Sequence, residues 1–245
     1  MRLNPFTMLG QLDGCLLFMY CCPADKVRHL VPQCLELVTY KGNAIIGVVV
    51  SRLKHMRPWP LPKWTGIGYR HVAYRIYVEY TPPGQEPIQG LYFLRSEANN
   101  PLMKKAGNLL TDFRFHLADI TLAKADRTID FKIENSDDGL GNARARLSLE
   151  DVNELPPTSI FSSVEEALHV LHYEPYGIFV DQRRKKVNVV KVTRDESQWR
   201  ERTIRQKDAV WTYWDHIIPE GLVHQLTVWV DSIPYRWERG VEYPI

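Results

Sequence analysis

Between Gly68 and Tyr80 the chain alternates: Val72, Tyr74, Ile76, Val78 and Tyr80 fall on one parity, and His71, Arg75, Tyr77 and Glu79 on the other. A period of two belongs to a strand, so this stretch commits the chain to a sheet. Its apolar face must be covered. Its other face carries an arginine, a histidine and a glutamate, and such a face can line a cavity as readily as it meets water.

The rest of the chain agrees. Gly10 to Cys22, Leu35 to Tyr40 and Ala44 to Leu53 are rich in apolar and β-branched residues, the composition of strands. Tyr40-Lys41-Gly42-Asn43 supplies a hairpin turn in which Gly42 can take positive φ. Met56 to Gly66, with three prolines and two tryptophans, reads as an ordered loop. Ile88 to Arg95 returns as a strand.

A helix follows, with Asn100 as cap, Pro101 at the first position, and Leu102, Met103, Ala106, Leu109 and Leu110 on one face. Phe113 to Ala123, Thr128 to Glu134 and Ala143 to Leu149 read as strands, the last two flanking a polar turn at Ser136 to Asn142. A short helix is expected from Val164 to Leu171, with Ser162 and Glu165 spaced as a capping box. Gly177 to Asp181, Val187 to Thr193, Ala209 to Trp214 and Gln225 to Val230 complete the strands. No internal repeat or low-complexity tract divides the chain, so residues 1–245 read as a single domain.

Composition narrows the partners. The chain has 245 residues, 44% hydrophobic and 24% charged, with a formal net charge of +2. That balance gives neither the basic surface of a nucleic-acid binder nor the charge that draws a protein to an anionic membrane. The longest early apolar run, Cys15 to Cys22, is too short to span a bilayer and lacks the flanks of a signal peptide. Four cysteines (Cys15, Cys21, Cys22 and Cys34) show no CxxC or metal-ligand spacing. A cytoplasmic protein with free thiols, no metal and no cofactor is the expectation.

Two motifs in the first half resemble those of the acetoacetate decarboxylases. Tyr20-Cys21-Cys22-Pro23-Ala24-Asp25, followed by Val31-Pro32 and Leu35-Glu36-Leu37, is similar to the family's strand ending in Tyr-Arg-Thr, its short helix, and its Val-Pro-x-x-Leu-x-Leu element. Phe93-Leu94-Arg95-Ser96-Glu97 is similar to the family's Tyr-Leu-Asp-Asn-Glu, and Phe113-Arg114-Phe115-His116 stands where the strand after its helix begins. The order of elements also resembles the YqjF-like proteins of unknown function, of the same fold superfamily. The likeness runs from Leu16 to Ile120 and is weaker after Tyr176. It implies a β-rich α+β fold: a mainly antiparallel β-sheet curled into an acetoacetate decarboxylase-like barrel with two or three short helices.

The departures bear on chemistry. Decarboxylation in that family uses a nucleophilic lysine whose pKa is lowered by a second lysine and a dry pocket, so that a Schiff base can form. Those two positions align with Arg114 and Phe115. Arginine stays protonated, and phenylalanine has no amine. The family arginine becomes Cys21; only the glutamate survives, as Glu97. Lys104-Lys105 is a lysine pair in the wrong place, on the helix, and reads as two solvated side chains.

Candidate site residues are therefore Glu97, Arg114, His116, Arg75 and Cys21, with a small organic acid as the ligand the resemblance implies. Arg114 suits a carboxylate through bidentate pairing, and His116 can move protons near neutral pH. A buried Arg–Glu pair serves equally as structure. Cys21 and Cys22 should face opposite ways, and no base is in view to activate Cys21. Glu165, His169 and His172 share a helix flank but lack the HExxH order. Arg183-Arg184-Lys185-Lys186 sits where a hairpin turns, and Trp211, Trp214 and Trp229 read as core. The competing expectation is a scaffold whose pocket is filled by Tyr77, Tyr92 and Phe115, with the Met56 to Trp64 loop as its partner surface.

Overall fold

The computed structural model describes residues 4–134, 136–172 and 174–245. The chain opens with β1 (Met8–Pro23), α1 (Ala24–Val27), β2 (Glu36–Leu37), β3 (Thr39–Tyr40) and β4 (Asn43–Pro58). β5 (Ile67–Tyr80), β6 (Ile88–Ala98) and α2 (Pro101–Leu110) follow. The middle holds β7 (Phe115–Leu117), β8 (Asp119–Ala125), β9 (Thr128–Glu134), β10 (Ala143–Asp151) and α3 (Val164–Val170). The last part comprises β11 (Tyr176–Asp181), β12 (Lys186–Arg194), β13 (Glu201–Trp211), α4 (Thr212–Ile217), β14 (Val223–Val230), β15 (Ile233–Trp237) and β16 (Val241–Pro244).

Among the described residues, all sixteen strands belong to one hydrogen-bonded sheet. β1 pairs along one edge with β4 and along the other with two strands in turn: Met8–Leu12 with β15, then Cys15–Cys21 with β14. The change of partner falls at Asp13-Gly14, where the register slips against β4 and Gly14 has φ +88°, a conformation that only glycine adopts cheaply. The pairings β1–β4–β5–β6–β11–β12–β15–β1 close a ring of seven strands. From β1 a second arm, β14–β13–β10–β9–β8, curls back over the outside of β4, β5 and β6. Most pairings are antiparallel; β6 pairs in parallel with both β7 and β11, so the sheet is mixed.

This plan explains why β1 and β4 are apolar on both parities and why β5 is largely buried on both. Leu16, Phe18, Tyr20 and Cys22 join Val48, Tyr74 and Ile76 beneath the second arm, whereas Leu17, Met19 and Cys21 join Ile45, Ala73 and Tyr77 inside the ring. Each fully buried aliphatic or aromatic side chain contributes about 1.5–3 kcal/mol. Cys21 and Cys22 face opposite ways, as the alternation required, and all four cysteines are free thiols. Trp211 and Trp214 are buried under the second arm, and Trp229 packs half-buried against the same cluster.

Several local expectations hold. Lys41 and Gly42 carry φ of 48° and 77° at the β3–β4 turn. The Asn100 side chain accepts from the amides of Leu102 and Met103, with Pro101 opening α2. The basic turn between β11 and β12 is organised by Asp181, which accepts from the amides of Arg183 and Arg184.

Others are corrected. Thr212–Ile217 is a helix, not the end of a strand. The cap of α3 lies one residue later than expected, with Ser163 accepting from the Glu166 amide and the Glu166 carboxylate accepting from Ser162. The α2 stripe is only partly buried: Met103, Ala106 and Gly107 face the protein, while Leu102 and Leu109 are exposed. Met56 to Pro58 continue β4, and the exposed loop begins at Trp59. Among the described residues, no helix is long and apolar enough to cross a membrane.

Candidate functional site

The site is built where β6 changes parity. Tyr74 on β5 faces Arg95, but Arg75 faces Phe93, so Leu94 is an extra residue in β6. This bulge places Arg95 and Glu97 under the second arm, beside Tyr74, rather than inside the ring. β7 then lies parallel to β6, with His116 in register with Glu97. Its start is pinned by Asn108 of α2, whose side-chain amide exchanges two 2.7 Å hydrogen bonds with the Phe115 backbone.

Arg95 is the hub. Its Nε donates to Glu97 Oε1 at 2.5 Å, and its Nη1 and Nη2 donate to the two Asp138 oxygens at 2.8 and 2.7 Å. Its guanidinium stands 5.5 Å from the Tyr213 ring centroid. Asp138 reaches this position from the turn between β9 and β10, where its own Oδ1 also accepts from the Leu140 amide. His116 Nδ1 lies 3.7 Å from Asp138 and 4.0 Å from Asp137, and Lys104 of α2 pairs with Asp137. Lys104 is thus tied to this turn, while Lys105 is exposed.

The electrostatics follow from burial. Glu97 has no solvent exposure, and desolvation pushes its carboxyl up to about 7 despite the pull of Arg95. Asp138 is held down at about 2, chiefly by the paired hydrogen bonds from Arg95. Burial, then the Arg95 charge, lowers His116. Glu97 Oε2 and the Tyr74 hydroxyl are both buried with no hydrogen-bond partner among the described residues. Such groups are rare in native interiors and ask for a reason. Burial also raises the Tyr74 and Tyr213 phenols; the Glu97 charge adds to the first, while Arg95 and Arg114 oppose the second.

Arg114 is not on a strand, as the sequence suggested, but just before β7 at φ 53°. It is exposed, donates to the Tyr92 hydroxyl at 3.2 Å, and borders an open cleft of about 260 Å³ together with Tyr92, Asp112 and Arg183. The Tyr213 ring stands 5.5 Å from the Arg95 guanidinium, and the Arg114 charge also acts on its phenol. Glu97, His116 and Arg114 therefore gather around one end of the second-arm core. Arg75 and Cys21 do not join them. Both lie on the opposite face, within the ring: Arg75 lines a small cavity of about 40 Å³ there, and burial pushes the Cys21 thiol up to about 12. Sequence reasoning missed Arg95, Asp138 and Tyr213. Arg95 stood inside a quoted motif; the other two gave no local signal.

Glu165, His169 and His172 form no cluster of three potential ligands, and none occurs elsewhere among the described residues; His172 instead pairs with Glu174 at 3.1 Å. Gly141 closes the site from above: a Cβ there would sit 2.0 Å from Glu97 Oε1. Gly141→Ala should therefore cost about 1–3 kcal/mol through forced displacement of the network, read as a lowered Tm.

The fold is that of the acetoacetate decarboxylase-like proteins. An acetoacetate decarboxylase-like enzyme from Sphingomonas wittichii RW1 superposes with a TM-score of 0.62 at 12% identity, over 98% of this chain and 94% of that one. The enduracididine biosynthesis enzyme MppR complexed with pyruvate matches at 0.62 and 11%, over 97% and 90%. Acetoacetate decarboxylase from Legionella pneumophila matches at 0.60 and 11%, over 97% and 87%. In sequence, the chain belongs to DUF2071, a family of uncharacterized conserved proteins, which it matches over residues 11–224. It is also 26% identical over 162 residues to the uncharacterized protein YqjF of Bacillus subtilis (strain 168), covering 65% of this chain and 61% of that protein's length.

Proposed function

We propose that this chain binds, and transfers protons to or from, a small organic acid at the Glu97–Arg95–Arg114 end of the second-arm core, without Schiff-base chemistry. The carrying observation is Glu97: a buried carboxyl raised to about 7, with Oε2 unpartnered and the Tyr74 hydroxyl likewise buried without a partner among the described residues. A carboxyl in that range can give or take a proton near neutral pH. Arg114 at the cleft is the cation for an incoming carboxylate, and His116 stands 3.7 Å from Asp138 next to the Arg95 hub. A structural neighbour's complex with pyruvate makes small keto acids the first class to try. The chain is read as one cytoplasmic domain, with neither nucleic acid nor membrane as partner.

The test is a thermal-shift panel of small carboxylic, keto and hydroxy acids on wild type and Arg114→Ala. A rise in Tm that the variant loses is the expected result. A ligand whose shift survives Arg114→Ala would remove the anion role of that residue. Borohydride with acetoacetate is expected to leave the protein's mass unchanged, because Arg114 and Phe115 supply no neutral amine. A trapped adduct would show that a lysine elsewhere in the chain serves as nucleophile.

A second reading has its own observation. Trp64 is 84% exposed and Trp59 61%, on the loop after β4. Two exposed tryptophans on one loop favour a protein contact. A double Trp59→Ser, Trp64→Ser variant that alters assembly but not acid binding would support this role.

A further inference from the structure

The interior of the seven-stranded ring contains a chamber that the site above does not use. It opens between the segment before β1 and helix α2, with a volume of about 110 Å³. Three thioethers line it, those of Met8, Met56 and Met103, and Phe113, Phe115 and Trp237 form aromatic walls. Phe113 and Trp237 meet edge to face at 5.0 Å. α2 seals one side closely: a Cβ on Gly107 would meet the Phe115 ring at 2.5 Å.

At its inner end stands His71, its ring 5.2 Å from that of Phe115. Its Nε2 is shut off from solvent and has no hydrogen-bond partner among the described residues. Burial, then the nearby Arg75 charge, lowers its pKa to about 3, so the imidazole is neutral. Beyond His71, Tyr235 and Trp237 lies the cavity of about 40 Å³ that Arg75 lines; the outer chamber does not reach Arg75.

We propose that this chamber binds a single-ring aromatic alcohol, a phenol or benzyl alcohol, with the ring among the methionines and the hydroxyl on His71 Nε2. The size limits the occupant to one ring, since about 110 Å³ lies below the volume, about 150 Å³, of an engineered cavity that holds benzene. Polarizable thioethers and ring edges favour an aromatic body over an aliphatic one. A hydroxyl both donates and accepts, so it satisfies a neutral imidazole in either tautomer. A carboxylate is disfavoured, because entering an apolar chamber beside a neutral histidine leaves its charge unpaired. The chamber lies across β5 and β6 from Glu97, so this inference stands independently of the acid site.

Methionine-methyl NMR reads the chamber directly. Titration with phenol is expected to shift the Met8, Met56 and Met103 methyls saturably while leaving buried Met19 unmoved, with toluene at least about tenfold weaker for want of the hydrogen bond. Ala106→Phe, on the half-buried inner side of α2, should fill the chamber and abolish the shifts. Should His71→Phe fold, phenol's advantage over toluene should vanish in it. Benzoate binding more tightly than phenol, shifts that persist in Ala106→Phe, or no saturable shift in wild type would each overturn the proposal.

Discussion

Glu97→Gln is expected to leave the protein about 2 kcal/mol more stable than wild type at pH 8, and nearly equal to it near pH 5. The folded carboxyl sits at about 7 against an ordinary value of 4.5. Between those values the native state holds a proton that the unfolded chain has released, so wild-type stability falls as pH rises from 4.5 to 7 and is flat above. The shift corresponds to about 3 kcal/mol. Glutamine keeps the oxygen that accepts from Arg95 but cannot ionise, which removes that cost. Its amide is left facing the space where Oε2 has no partner, which returns about 1 kcal/mol. Urea melts of both proteins at pH 5, 6, 7 and 8 give the difference curve. A gain at high pH from deleting a native carboxylate is the mark of a group kept for use rather than for stability.

Arg95→Met has the opposite sign and a larger effect. At pH 8 it should cost about 3–5 kcal/mol, because Glu97 and Asp138 lose the cation they share and Glu97 cannot turn to water. The two are not equivalent: the Asp138 side chain is 38% exposed, whereas that of Glu97 is fully buried. Most of the cost is thus the Glu97 charge, and it shrinks as pH falls and the carboxyl takes up its proton. Arg95→Met with Glu97→Gln should therefore recover more than half of the loss at pH 8. The same double-mutant cycle at pH 5 should show weak coupling. Equal coupling at both pH values would mean that the pair is ionised throughout.

These effects centre on residues of unequal visibility in the sequence. The parity of Gly68 to Tyr80 gave the two faces of β5, the Asn100-Pro101 pair gave the start of α2, and the partner change of β1 falls at the Asp13-Gly14 pair that interrupts its apolar run. β13 was foreseen only at its end, because Glu201 to Val210 carries a charge or amide at most positions and one face meets solvent. Thr212–Ile217 contains two aromatics with high strand propensity and folds as a helix because Trp214 is drawn into the core. The bulge at Leu94 is invisible to a period-two reading, yet it separates Glu97 from Arg75. Asp138 looks like any turn aspartate until the β9–β10 turn is seen lying over Arg95. Local chemistry announces caps, turns and faces; a charge pair made across 43 residues does not announce itself.

The most direct test is a carbon-13 NMR titration of the side-chain carboxyls, with Glu97 assigned as the resonance missing from Glu97→Gln. A midpoint near 7 is the expected result and would establish a buried carboxyl ready to exchange protons at neutral pH. A midpoint at or below 4.5 would make Arg95–Glu97 an ordinary buried ion pair and contradict the proposed role of this site.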